Sequence, residues 1–159
     1  MLKIAYITRQ LGAPSESFIK DLVVKLNERF ELKVFANGIN RGDLELSNLN
    51  VDECRFLTDL TVFMRFRRIL ARALEKDSGD WEARYRIDHA ETALKQAILG
   101  FKPDLIYTDY GTTAVLLRCF AKKYSIPLIV HFHGYDASSA LSQPWYRTQF
   151  ESLMEDAAA

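Results

Sequence analysis

The last third of the chain constrains the fold most, because it alternates between two kinds of pattern. Asp104 to Thr108 reads as a strand, Gly111 to Tyr124 as a helix, Leu128 to Phe132 as a strand and Pro144 to about Asp156 as a helix. Strand, helix, strand, helix with short connections means parallel strands linked by crossovers. The expected architecture is therefore α/β, a Rossmann-like open parallel sheet with helices on both faces. The 159 residues suit a single domain, and 48% hydrophobic residues supply its core. The ending, Glu-Asp-Ala-Ala-Ala, carries no capping signal and reads as cut short of another strand.

The first two thirds fit the same plan. Leu2 to Thr8 reads as a buried opening strand, and Arg9 to Ser15 as a loop punctuated by Gly12 and Pro14. A helix is expected from about Glu16 to Arg29, with Ser15 as N-cap and Phe18, Ile19, Leu22, Val23 and Leu26 along one stripe. Glu31 to Ala36 and Glu53 to Leu57 read as strands, the second at an edge. Asn37 to Asn50 reads as a turn-rich loop in which Arg41-Gly42-Asp43 is a solvated turn. Helices are expected at Asp59 to Lys76 and Trp81 to Leu99, with Gly100 as the stop and Pro103 beyond it.

Composition excludes several functions. Lys plus Arg and Asp plus Glu both total 21, so no global charge calls for nucleic acid. No run approaches membrane-spanning length, and the start MLKIAYIT is too short and β-branched for a signal peptide. Cys54 and Cys119 form no CxxC motif and read as buried thiols in a reducing, cytoplasmic setting. There is no Walker loop, no Gly-x-Ser-x-Gly elbow, and Thr8, Arg9 and Gln10 replace the acidic cluster of a receiver domain.

Two turns carry chemistry. In Gly12-Ala-Pro-Ser-Glu-Ser17 a single glycine stands where a dinucleotide fingerprint has three, which disfavours nicotinamide or flavin. A helix N-terminus and the hydroxyls of Ser15 and Ser17 remain for polar ligand groups. Glu16 would repel phosphate and better suits sugar hydroxyls or the helix dipole. A ligand-free capping turn is an equal alternative. The second turn follows Pro127-Leu-Ile-Val-His-Phe-His-Gly-Tyr-Asp136. The period of two puts His131 and His133 on one side of the strand. His133 should reach the crevice at the carboxyl end, with His131 a satisfied buried histidine. Gly134 would permit unusual backbone angles, and Asp136 could orient an imidazole or receive a ligand hydroxyl. Two histidines alone make a weak metal site, and no third ligand of suitable spacing is evident, so neither metal nor cofactor is expected. His89, in a charged helix, reads as surface.

With KIAYIT followed by Ser15-Glu-Ser-Phe-Ile19, then PDLIYTDYGTTA and PLIVHFHGYD, the chain resembles the N-terminal half of a GT-B glycosyltransferase over its whole length. Within that group it resembles the large retaining family four, whose members build bacterial surface polysaccharides and exopolysaccharides. The resemblance implies hexose transfer from a nucleotide-sugar donor to a saccharide or lipid-linked acceptor held by this half. It implies His133 at the donor sugar, Gly12 and its neighbours near phosphates or acceptor, and Tyr110, Gly111 and Thr112 near the acceptor. Nothing here matches the C-terminal donor-binding domain with its pair of glutamates, so the chain alone is expected to be inactive. A non-catalytic sugar- or nucleotide-binding module is the other reading.

Leu60 to Lys76 places Phe63, Phe66, Leu70 and Ala73 on one helical face and Arg65, Arg68, Arg72 and Lys76 on another. Two readings stay open. The helix packs on the sheet with its arginines in water, or it makes peripheral contact with an anionic membrane at the inner face through Arg65, Arg68 and Arg72.

Overall fold

Lys3–Leu11 forms the central strand, β1, and residues Ile4 to Thr8 within it are all buried. A continuous buried run is what a parallel strand covered on both faces requires. The computed structural model describes residues 1–40, 46, 48–57, 66, 69 and 79–156. After β1 come a 3-10 turn at Pro14–Glu16, α1 (Ser17–Asn27), β2 (Glu31–Ile39) and β3 (Val51–Glu53). Then follow α2 (Gly79–Phe101), β4 (Leu105–Asp109), α3 (Gly111–Lys123), β5 (Leu128–His131) and, after a second 3-10 turn, α4 (Pro144–Asp156).

All five strands are parallel, in the order β3-β2-β1-β4-β5. Side chains alternate across β1 into two cores. Ile4 and Tyr6 join Val34, Ile19 and Val23 of α1 on one face. Ala5 and Ile7 join Ile106, Leu94 of α2, Val115 of α3 and Tyr146 of α4 on the other. Helices thus cover both faces, as expected. Arg118 of α3 ties down α4 through Asp156 at 2.6 Å and Gln149 at 3.2 Å. The chain runs outward from β1 to β3, then returns to β4 on the other side, so the strand order reverses between β1 and β4. Ligands of open α/β sheets bind at the carboxyl ends on such a reversal.

Several boundaries differ from the sequence reading, for local reasons. β1 runs on to Leu11, and β2 takes Asn37, Gly38 and Ile39 from the expected loop, because the two strands stay in register to Leu11↔Ile39. The edge strand is Val51–Glu53 rather than Glu53 to Leu57, pairing only with β2. Ser15 lies inside the 3-10 turn, and no side chain caps α1. Gly100 is an ordinary helical residue. The helix ends at Phe101, and Lys102 after it takes φ 55° and donates its N–H to Ile98 O at 3.1 Å, a left-handed C-cap without glycine. Cys119 is exposed and Cys54 only half-buried, against the expectation of two buried thiols. Arg41-Gly42-Asp43 and the arginines of the basic stretch lie outside the described residues, while Phe66 and Ile69 within that stretch are exposed. Among the described residues no helix is long and apolar enough to cross a membrane.

Glycine matters where β4 passes into α3. A methyl group added to Gly111 would collide with the Tyr146 hydroxyl and stand 2.7 Å from Phe132 Cε1. Gly134 is different: an added methyl meets nothing within 4 Å, and its φ is not in the left-handed region, so the expected backbone role is absent. Gly111→Ala should therefore cost about 1–3 kcal/mol through overpacking, whereas Gly134→Ala should stay within about 0.5 kcal/mol. Thermal denaturation of the two variants checks this, and equal melting temperatures would contradict it.

Candidate functional site

β4 ends on Asp109, whose side chain is fully buried at the carboxyl edge of the sheet. A carboxylate removed from water must find donors, and three come to it. Tyr6, from β1 alongside, donates its hydroxyl to Oδ2. The β4–β5 register sets Asp109 opposite His131, and His131 Nδ1 lies 3.2 Å from Oδ1. His133 Nε2 lies 3.4 Å from that same oxygen, and the two imidazole centroids are 4.3 Å apart. Burial, then the negative charge of Asp109, pushes the Tyr6 phenol far above its ordinary pKa, so it remains a donor.

The exposure of the histidines is the reverse of the sequence expectation. His131 is the more open, with 45% of its side chain exposed, and His133 is enclosed at 18%. The strand ends at His131, so strand alternation no longer governs His133, which sits in a turn. Asp136 builds that turn. Its buried Oδ2 accepts the backbone N–H of His133 at 2.9 Å, and its own N–H donates to the His133 carbonyl at 2.9 Å. Asp136 thus places His133 through the backbone, while the imidazole is oriented by Asp109. Its other oxygen, Oδ1, is buried without a partner among the described residues.

Tyr110 joins this cluster to the first turn. It is the residue before α3, with φ 68° and ψ 128°, a conformation costly for a non-glycine residue and typical of functional sites. Its ring lies 4.4 Å from the His133 ring, and its hydroxyl donates to Glu16 Oε1 at 2.7 Å. Burial and then that bond raise the phenol's pKa. Phe18 of α1, expected in the apolar stripe, is 40% exposed and packs on His133 instead, 4.9 Å between centroids. The two turns therefore share one rim. Gly12 supports its bend with φ 78°.

A cleft of about 490 Å³ opens there, with Arg9, Gln10, Ser15, Glu16, Tyr110 and Tyr135 among its walls. Its described lining does not include Gly12 or Ser17. Thr112 faces a neighbouring cavity of about 390 Å³, together with Thr113, Gln143 and Trp145. Arg9 and Tyr135 border both cavities. The hydroxyls of Thr112 and Thr113 are buried without partners among the described residues, and Gly111 is a buried packing residue.

Sequence reasoning missed Asp109, Tyr6, Arg9 and Tyr135. The signal for Asp109 was its place: an acidic residue ending an apolar strand beside the reversal of strand order. For both imidazoles to donate to Oδ1, His131 must carry its proton on Nδ1 and His133 on Nε2. Long-range nitrogen–proton NMR of the neutral imidazoles should find those opposite tautomers, and Asp109→Ala, which removes the acceptor, should abolish the preference of His131 for Nδ1–H. Two Nε2–H tautomers in the unaltered chain would contradict the arrangement.

No family model matches this sequence, and no curated protein does. Among solved structures, the chain is similar to the apo form of the lipopolysaccharide outer core galactosyltransferase WaaB. The TM-score is 0.55 at 11% identity, over 99% of this chain and 45% of that one. The chain thus spans less than half the length of the protein it matches. At that identity the likeness speaks for the fold, which is that of the N-terminal, Rossmann-like half of a GT-B glycosyltransferase.

Proposed function

We propose that the chain is the acceptor-side half of a retaining glycosyltransferase, moving a hexose from a nucleotide-sugar to a saccharide or lipid-linked acceptor. The observation that carries this reading is the convergence of Asp109, His131, His133, Tyr110 and Glu16 at the reversal point of the sheet. Glycosyl transfer passes through an oxocarbenium-like sugar and a departing phosphate, so the enzyme must supply hydrogen-bond donors and positive charge. His133 offers a donor held in place at both ring and backbone. Asp109 orients both imidazoles through one buried carboxylate oxygen. Arg9 borders the cleft and makes no ion pair among the described residues, which suits a phosphate.

Glu16 already accepts one hydrogen bond from Tyr110. Its carboxylate has lone pairs left for sugar hydroxyls, and Ser15 beside it adds another polar group. In this reading the facing wall, with the nucleotide-binding surface, belongs to a second Rossmann-like half.

Transfer should be measured with the protein extended by that second half and with the 159 residues alone. Extended protein should turn over, and the isolated chain should not. His133→Ala in the extended protein should lower kcat about 10²–10³-fold, the usual loss for one transition-state donor, with circular dichroism unchanged. Robust turnover by the isolated chain would end the two-half reading. Near-normal transfer by the His133 variant would reduce that residue to structure. Nucleotide-sugar binding without any transfer would establish the non-catalytic module instead.

A further inference from the structure

We propose that Asp109, His131 and His133 form a binding site for a divalent transition metal of the zinc type. Sequence spacing offers two histidines and no third ligand; the fold supplies the third from the neighbouring strand. One ligand atom from each of Asp109, His131 and His133 lies within 4.8 Å of the other two. The two separations from the carboxylate oxygen are 3.2 and 3.4 Å. Ligands bonded to tetrahedral zinc at about 2.0–2.2 Å stand about 3.3–3.5 Å apart, so these two edges already match.

The surroundings fit as well. Two imidazoles and a carboxylate suit zinc, cobalt or nickel better than calcium or magnesium, which prefer all-oxygen shells. Tyr6 holds the second carboxylate oxygen, the outer-shell hydrogen bond that orients a ligating carboxylate. Asp136 fixes the backbone of His133. Among the described residues Asp109 meets no lysine or arginine within ion-pair distance, only the two histidines.

Binding requires a change of tautomer at both rings. The nitrogens that face Oδ1 give up their protons, and each neutral imidazole carries its proton on the other ring nitrogen. With three protein ligands and His131 half exposed, a position stays open for an oxygen ligand, as in catalytic zinc sites. Water or a phosphate oxygen would complete the shell. Such a cation would put positive charge beside the Tyr110 rim, where the proposed function needs it, but the site itself does not depend on that function.

The test is calorimetric titration of zinc chloride into chelator-stripped protein. One equivalent should bind. His131→Ala, chosen because that side chain is half exposed and its loss should leave the fold intact, should weaken binding by at least about tenfold, more than the loss of an outer-shell partner typically costs at its lower limit. His89→Ala, which removes the only other histidine of the chain, should bind as the parent does. Cobalt should give a visible absorption band of low coordination number that disappears in His131→Ala. Absence of a one-to-one complex, or equal affinity in His131→Ala, would overturn the proposal, as would loss of binding in His89→Ala. Should zinc fail to bind while His133→Ala still abolishes transfer by the extended protein, the metal site falls and the proposed function stands.

Discussion

A carboxylate fully removed from water, at the point where β4 leaves the sheet, sets most of what surrounds it. Asp109 is 0% exposed, and an unpaired charge at such a place would cost several kcal/mol. Its need for donors fixes the Tyr6 hydroxyl and draws two imidazoles from the adjacent strand and its turn onto one oxygen. Because β4 lies between β1 and β5, donors from β1, from β5 and from the turn after it meet on the carboxylate that ends β4. Stability and chemistry are joined here: the same contacts that make the burial tolerable hold the histidines at the sheet edge.

The second constraint is the bond between Tyr110 and Glu16. It spans residues 94 positions apart in the chain and closes the gap between the turn after β1 and the turn after β4. Tyr110 holds a backbone conformation with positive φ. Its amide donates to His131 O and its carbonyl accepts from Thr113 and Ala114. Surrounding hydrogen bonds thus over-determine the strained residue, as they must for strain of about 1–3 kcal/mol to persist. The consequence is a rim with an aromatic floor, His133 lying between Tyr110 and Phe18.

The alternation of strands and helices was legible because apolar periodicity changes from two to 3.6 between Leu105 and Asp156, and buried parallel strands are apolar throughout. The convergence of the two turns was legible too, since both follow strands that parallel pairing aligns. Exposure of individual site residues was not. His131 reads as buried and is open, because a strand that stops at a sheet edge loses its cover. Asp136 reads as orienting an imidazole or receiving a ligand hydroxyl; one of its oxygens binds the His133 backbone, because a four-residue turn returns the carboxylate to the chain. Asp109 went unread, since its role arises only when β5 is laid beside β4. Ser15, Ser17 and Gly12 share the predicted polar turn, yet among them only Ser15 borders the described cleft.

The histidine pair on Asp109 packs behind Tyr110, which lines the cleft, so a ligand bound there should be sensed by both rings. The most direct measurement is imidazole NMR of His89, His131 and His133 in the two-half protein while a nucleotide-sugar is added. The ring resonances of His131 and His133 should move together with occupancy while those of His89 stay fixed. Saturation with ligand that leaves both rings of the pair unmoved would contradict it.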